Sequence, residues 1–306
     1  MVTNTEQIFT FLNEHAESNK EDLYLEAVIE ACQEWLSGER MPRLSPSVTK
    51  EEIRRGIQLA VLKGMKEQAQ PNHQMTPDAI GMLIGHFANE LMQHKEQVTL
   101  LDPAAGTGNL LFTVMNAIGD KATATSVEID ELLVRLSAIT AELLEQPVRF
   151  FVQDALRPLL VDPVDLVVCD LPVGYYPDDD NAISFEMMPA EGHAFAHHLF
   201  IEQSMNHLKE GGYALFLTPA SLFESDQSAE LHRYLKKNAV IRAVLQLPAS
   251  LFRSVAHEKS VFILQKPYAE MKAKPDVLLS KVPNMSDKLA MSRFLEQIKD
   301  WVSEEL

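Results

Sequence analysis

The chain has 306 residues, of which 46% are hydrophobic and 23% charged, enough for a full buried core and unlike a disordered or low-complexity protein. Two cysteines, Cys32 and Cys169, exclude a disulfide framework and a C-x-x-C metal motif, and no apolar run approaches the ~20 residues needed to span a bilayer. A net charge of −17 argues against a broadly basic surface for nucleic acid, and with no signal-like start the expectation is a soluble, cytoplasmic protein without a membrane partner.

Residues 5–70 are expected to be helical, with apolar residues at three- and four-residue spacing over 6–13, 22–37 and 50–68. Thr49, with Glu52 three residues on, forms a capping box for the third of these helices. An N-terminal helical domain over 1–70 follows, then a second domain over 71–306. Thr76 is the expected N-cap of a helix reaching about His94, with Pro77 at its first position. Strands and helices then alternate. Strands are expected at 98–101, 122–127, 148–152, 166–169, 213–217, 241–247 and 260–264, and helices at 109–118, 131–144, 196–208 and 230–237. This spacing implies βαβ units and a Rossmann-like, seven-stranded, mostly parallel α/β sheet, its last two strands forming an antiparallel hairpin at one edge. Residues 277–280 look strand-like, and a final helix runs from Asp287 to Glu304, capped by Ser286.

The most informative stretch is 98–112, where an apolar strand stops at Asp102 and a small-residue loop, Pro103, Ala104, Ala105, Gly106, Thr107 and Gly108, leads into a helix at Asn109. Strand, glycine turn and helix in that order build a nucleotide-like pocket at the carboxyl end of a strand. The loop is neither G-x-G-x-x-G nor a phosphate-binding G-x-x-x-x-G-K-[ST] loop. Three further strands also end in acids. Glu128, followed by Ile129, is suited to accepting both hydroxyls of a ribose. Asp154, followed by Ala155, is placed for an adenine amino group, and Asp170 ends the fourth strand.

The pattern D-P-A-A-G-T-G-N over 102–109 resembles motif I of class I S-adenosylmethionine (SAM) methyltransferases. From about Gln74 to Gln265 the chain resembles the N6-adenine DNA methylase family, especially the modification subunit of type I restriction systems. The resemblance implies SAM as cofactor and a threonine-proline element at Thr76 closing over its methionine end. It also implies cofactor contacts at Asp102 to Asn109, Glu128 and Asp154, and DNA as substrate. The N-terminal helices are a candidate surface for a second copy or for a specificity subunit.

The catalytic motif departs from the family pattern [Asn/Asp/Ser]-Pro-Pro-[Tyr/Phe/Trp], for here it reads Asp170-Leu171-Pro172-Val173. An exocyclic amine is a poor nucleophile because its lone pair is delocalised into the ring. The enzyme must accept hydrogen bonds from the NH2, a task for the Asp170 side chain and the Leu171 carbonyl. The second proline, with its fixed φ, and the aromatic that stacks on an extruded base are both absent. Tyr175 and Tyr176 are candidates for the missing ring. Asp178, Asp179 and Asp180 follow on the rim where a phosphate backbone would lie. Residues 233–274 hold nine Lys and Arg against two Glu, a local footprint for a polyanion in which Arg253 and Lys259 are the candidate substrate contacts. His193 and His197 are four apart, but no third ligand completes a metal set. Three readings stay open: methylation of adenine in nucleic acid, methylation of a protein amide or other amine, and a SAM-binding regulatory or assembly protein with little activity.

Overall fold

The computed structural model describes residues 2–19, 23–67, 75–269, 271 and 276–305. The expected domain boundary near Gln70 and Pro71, and the end of the basic stretch at Lys272 and Lys274, lie outside them. In chain order the elements are α1 (Asn4–Ser18), α2 (Tyr24–Ser37), α3 (Lys50–Glu67), α4 (Asp78–Met92), β1 (Val98–Asp102), α5 (Asn109–Ile118), β2 (Ala122–Glu128), α6 (Glu131–Leu143), β3 (Val148–Val152), β4 (Val164–Asp170), α7 (Asp179–Ala182), α8 (Ala196–Asn206), β5 (Leu208–Pro219), α9 (Ser228–Asn238), β6 (Val240–Gln246), β7 (Lys259–Gln265), β8 (Leu278–Lys281) and α10 (Lys288–Glu305).

The strands form one sheet in the order β3-β2-β1-β4-β5-β7-β6-β8. All neighbours run parallel except β7, which is antiparallel to both β5 and β6. The sheet therefore has eight strands, not seven. The strand-like segment near 278 pairs in parallel with β6, so the β6–β7 hairpin lies one strand inside the edge. The chain leaves β1 toward β2 and β3 on one side and returns to β4 on the other, which makes the β1/β4 junction the topological switch point where α/β sheets bind ligands.

Central strands bury both faces, which explains their unbroken apolar runs. Leu166 and Val168 of β4 point into a core with α4, α5 and α10, while Val167 and Cys169 point into the opposite core with α8 and α9. Leu215 and Phe216 of β5, and Ile263 and Phe262 of β7, divide the same way. A third core joins α1, α2 and α3 to Leu136 and Ile139 of α6, so the N-terminal helices pack on the sheet domain. Arg54 of α3 is buried at that junction, 2% exposed, and its guanidinium reaches Glu51 and Asp78.

The capping box at Thr49 and Glu52 forms, with reciprocal bonds of 3.2 and 2.9 Å. Two expected caps do not. Pro77 occupies the N-cap position of α4, and the Thr76 hydroxyl is used elsewhere. Asp287, not Ser286, caps α10 by accepting from the Leu289 and Ala290 amides. No helix among the described residues is long and apolar enough to cross a membrane.

On α8, His197 and His198 are buried against Phe195, and both ring nitrogens of His198 lack a hydrogen-bond partner. Burial pushes their pKa values down from the ordinary 6.5, to about 4 for His197 and about 3 for His198. Folding therefore keeps both rings neutral, while the unfolded chain takes up protons below pH 6.5. Stability is full above that pH and falls as the pH drops toward 4. In His198→Phe, the urea midpoint is expected to fall less steeply between pH 6.5 and 4 than in the wild type, and parallel pH profiles would remove His198 as a cause.

Candidate functional site

Four acids stand at the carboxyl ends of adjacent strands, in the spatial order Asp154, Glu128, Asp102, Asp170. Each is held by different partners. Asp102 ends β1 and is 1% exposed. Its Oδ1 accepts from the Ala104 amide at 3.1 Å. Burial raises its pKa from 3.8 to about 8, with Glu128 and Asp170 adding to the rise and the Ala104 bond only partly offsetting it. The neighbouring Cys169 thiol is pushed well above its usual range, chiefly by burial, and so is no nucleophile.

The loop after Asp102 folds back onto β2. Gly106 donates its amide to Glu128 Oε2 at 2.8 Å, and its carbonyl accepts from Ser137 Oγ at 3.0 Å. The other Glu128 oxygen accepts from the Ile129 and Asp130 amides. Two glycines are required for two reasons. Gly106 has φ +55° and an open side, with nothing within 4 Å of where a Cβ would sit. Gly108 has φ +76°, and a Cβ there would meet the Phe112 ring at 2.5 Å. Pro103 is buried, Ala104 and Thr107 are half-buried, and Ile129 is exposed.

Asp154 lies two residues beyond β3. Its Oδ1 accepts from the Leu156 amide at 2.9 Å and its Oδ2 from the Tyr176 hydroxyl at 2.6 Å. Burial, then that bond, raises the Tyr176 pKa to about 12, so the phenol remains a donor. Asn181 braces Tyr176 and the Leu156 carbonyl. Ala155 is buried, and its carbonyl accepts from Gln203. Tyr176, a candidate for base stacking, is thus 6% exposed and committed to Asp154.

Asp170 ends β4. Its Oδ2 accepts from the Thr76 hydroxyl at 2.9 Å, and its Oδ1 forms an ion pair with Lys259, the first residue of β7. Lys259, expected among the substrate contacts, therefore touches Asp170 directly, while Arg253 stays exposed on the 247–258 loop. Leu171 is buried, and its amide donates to the Leu217 carbonyl at 3.0 Å, extending the β4–β5 ladder by one residue. Proline cannot make that bond. The departure from the family pattern exchanges a ring that locks φ for a ladder hydrogen bond that holds the same turn.

Beyond Pro172, Val173 is exposed and Gly174 has φ +126°. Bonds from Ala196 to Gly174 and from Tyr176 to Ala194 zip this loop onto the segment before α8. Tyr175 is thereby stacked on Phe195, with centroids 4.9 Å apart and planes 10° apart, yet it remains 61% exposed. It is the ring that the 171–177 loop presents to solvent. In the acidic run that follows, Asp178 pairs with Arg157, and Asp179 lies within hydrogen-bond distance of His193 Nδ1. Sequence reasoning missed the Arg54, Lys259 and Tyr176 contacts. Arg54 had a readable signal, because it shares a helical stripe with Ile57 and Val61, both buried.

The raised pKa of Asp102 has a testable sign. A carboxyl whose folded pKa lies above its unfolded value contributes fully below about pH 4 and increasingly opposes folding as the pH rises toward 8. Asp102→Asn is expected to be more stable than the wild type at pH 8 by at least about 1.4 kcal/mol, the worth of one pKa unit. Denaturant titrations should show this gain shrink to nothing near pH 4, and a gain independent of pH would mean that Asp102 is ionised in the folded chain.

Residues 64–300 match the family model of the N-6 DNA methylases. The uncharacterized protein YtxK of Bacillus subtilis (strain 168) is 43% identical over 97% of this chain and 97% of its own. A Listeria monocytogenes protein described as a class I SAM-dependent methyltransferase is 40% identical, and its crystal structure superposes with a TM-score of 0.88 over 98% of this chain and 99% of that one. The methyltransferase subunit of a Streptococcus thermophilus type I restriction-modification system shares the fold at 15% identity, with a TM-score of 0.68 over 97% of this chain and 74% of that one. A sheet of this order, with acids at its switch point, a family match across most of the chain and a near-full-length relative of the same fold lead to one conclusion: the chain belongs to the N-6 DNA methylase family and has the fold of class I SAM-dependent methyltransferases.

Proposed function

We propose that this chain is a SAM-dependent amino-methyltransferase acting on adenine N6 in nucleic acid, foremost DNA. The observation that carries this is the row Asp154, Glu128, Asp102 and Asp170, which lines cofactor-type contacts up with one acceptor carboxylate beside the catalytic loop. The residues suit the cofactor. Gly106 leaves its Cβ side open, and Glu128 is a carboxylate already oriented by three backbone amides, two of them on one oxygen. Bound SAM supplies an electrophilic methyl group on a cationic sulfonium.

The chain's own residues supply the rest. Asp102 and the Pro103–Asn109 loop hold the methionine end, with Thr76 closing over it. Glu128, beside Ile129, takes the ribose hydroxyls, and Asp154, steadied by Tyr176 and followed by Ala155, takes the purine amino group. Asp170 accepts an N–H from the target amine, and the Leu171 carbonyl accepts the other, so the nitrogen lone pair turns toward the methyl group. Pro172 shapes the turn. Tyr175 offers the stacking surface, worth ~1–3 kcal/mol per base. Lys259 offsets the charge of Asp170, which leaves Arg253 for the phosphate backbone.

A second reading, a SAM-binding regulatory or assembly protein with little turnover, is favoured by one observation: both Asp170 oxygens already have partners. A single experiment separates the two. Wild type, Asp102→Ala, Glu128→Ala and Asp170→Ala are given methyl-labelled SAM with unmethylated DNA, RNA and cell protein. SAM affinity is expected to fall at least about tenfold in the first two variants, Glu128→Ala losing a charge-assisted hydrogen-bond acceptor and Asp102→Ala losing the acceptor that holds the Ala104 amide of the glycine loop. Label is expected in DNA adenine, reduced about a hundredfold or more by Asp170→Ala with SAM binding retained. Label in protein instead would replace the substrate, and tight SAM binding with no label in any pool would select the regulatory reading.

A further inference from the structure

We propose that Arg54 is a positioning residue of this site, through which the N-terminal helices set the orientation of the catalytic-loop acid Asp170. The inference rests on the reading of the site as a SAM-dependent methyltransferase centre. A continuous series of hydrogen bonds supports it. Arg54 Nη1 donates to Asn109 Oδ1 at 2.5 Å. Asn109 Nδ2 donates to the Thr76 carbonyl at 2.9 Å. The Thr76 hydroxyl donates to Asp170 Oδ2 at 2.9 Å. Three links join α3 to the end of β4, across residues that are 55, 33 and 94 apart in sequence.

Every intermediate is buried and directional. Asn109 is 7% exposed and Thr76 is 6% exposed. Asn109 is the first residue of α5, so it also anchors the glycine loop. Arg54 fixes its own end by a fork, with Nε and Nη2 on the two Glu51 oxygens at 2.9 and 2.7 Å, while Nη1 also meets Asp78 at 3.1 Å. Gln58 adds a second bond from α3 to the same Asp78 oxygen, at 2.7 Å. Thus α3 holds the start of α4 and the start of α5 together, and Thr76 sits between them.

Stability alone is a poor explanation for this arrangement. Burying a guanidinium has a large desolvation cost, and a well-packed hydrophobic side chain in its place is often neutral or better. What arginine provides, and a hydrophobic residue or a lysine does not, is a rigid fork that holds several acceptors at once. A displacement of α3 must therefore either break the Arg54–Asn109 bond or carry Asn109 and Thr76 with it. A partner that docks on α1–α3 would act on Asp170 by this route.

Binding of S-adenosylhomocysteine is measured by calorimetry on the full chain for wild type, Arg54→Lys, Thr76→Val and the double variant. Lysine keeps a cation near Glu51 and Asp78 but cannot also hold Asn109. Arg54→Lys is expected to bind about tenfold more weakly, because Asn109 anchors the glycine loop, and methyl transfer is expected to fall about tenfold in Arg54→Lys and in Thr76→Val alike, with the double variant losing no more than either, because both break one series to Asp170. Wild-type affinity in a folded Arg54→Lys, or losses that simply add, would overturn the proposal. Should Arg54→Lys not fold, hydrogen exchange on the wild type decides: the ligand is expected to slow exchange across residues 50–67, and unchanged exchange there counts against the coupling. A wild type that binds no S-adenosylhomocysteine defeats the methyltransferase reading itself, an outcome distinct from these.

Discussion

The site depends on one electrostatic constraint, four carboxyl groups at the ends of neighbouring strands. Strands lie about 4.8 Å apart, and two like charges ~5 Å apart in an effective dielectric of 20 repel by about 3 kcal/mol. The chain meets this cost differently at each position. Burial raises the Asp102 pKa to about 8, which favours its neutral form at neutral pH. Glu128 accepts hydrogen bonds from backbone amides of its own turn and of the glycine loop. Asp154 has an amide and a phenol, and Asp170 has an ammonium and a hydroxyl. Each solution pulls a neighbouring segment into place. The glycine loop closes on β2, the loop after β4 reaches back to Asp154 beyond β3 through Tyr176, and β7 is tied to β4 through Lys259.

Much of the fold was legible because its signals are local or periodic. The both-faces-buried strands β1, β4, β5 and β7 read as apolar runs, and the helices between them imply parallel neighbours. The errors came where pairing replaced pattern. Strand β8 has four residues, two of them exposed, and it exists because β6 offers it an open edge. At Thr76 the usual capping chemistry was not used, because Pro77 takes the N-cap position, and the Thr76 hydroxyl donates instead to Asp170, 94 residues away. No local rule reveals that partner.

The candidate site was legible in its acids and glycines, while the partners of its cations were not. A carboxylate after a strand, or a glycine at positive φ, is specified by its immediate neighbours. Lys259 and Arg54 take their meaning from contacts 89 and 55 residues distant. Read as sequence, Lys259 belongs to a basic stretch that faces a polyanion. Its placement on Asp170 removes one cation from that stretch and gives it to the end of β4. The same long-range logic explains Leu171. Measured against the family pattern it is a lost proline, yet the β4–β5 register supplies the Leu217 carbonyl as partner for an amide that proline lacks.

The acidic surface around the site then takes a more definite meaning. Of the acids that follow the Asp170–Val173 motif, Asp178 carries a counter-charge from Arg157, so the rim is less repulsive than its sequence suggests. Beside it the exposed residues include Asp180 and three apolar side chains, Val173, Tyr175 and Ile183. A duplex held by its phosphates gains little from such a surface, whereas an unstacked base, with an apolar face and no charge of its own, gains from the Tyr175 ring. Recognition through the base demands less of the protein's overall charge than recognition through the backbone does. A strongly acidic chain and the proposed nucleic-acid substrate are compatible on those terms.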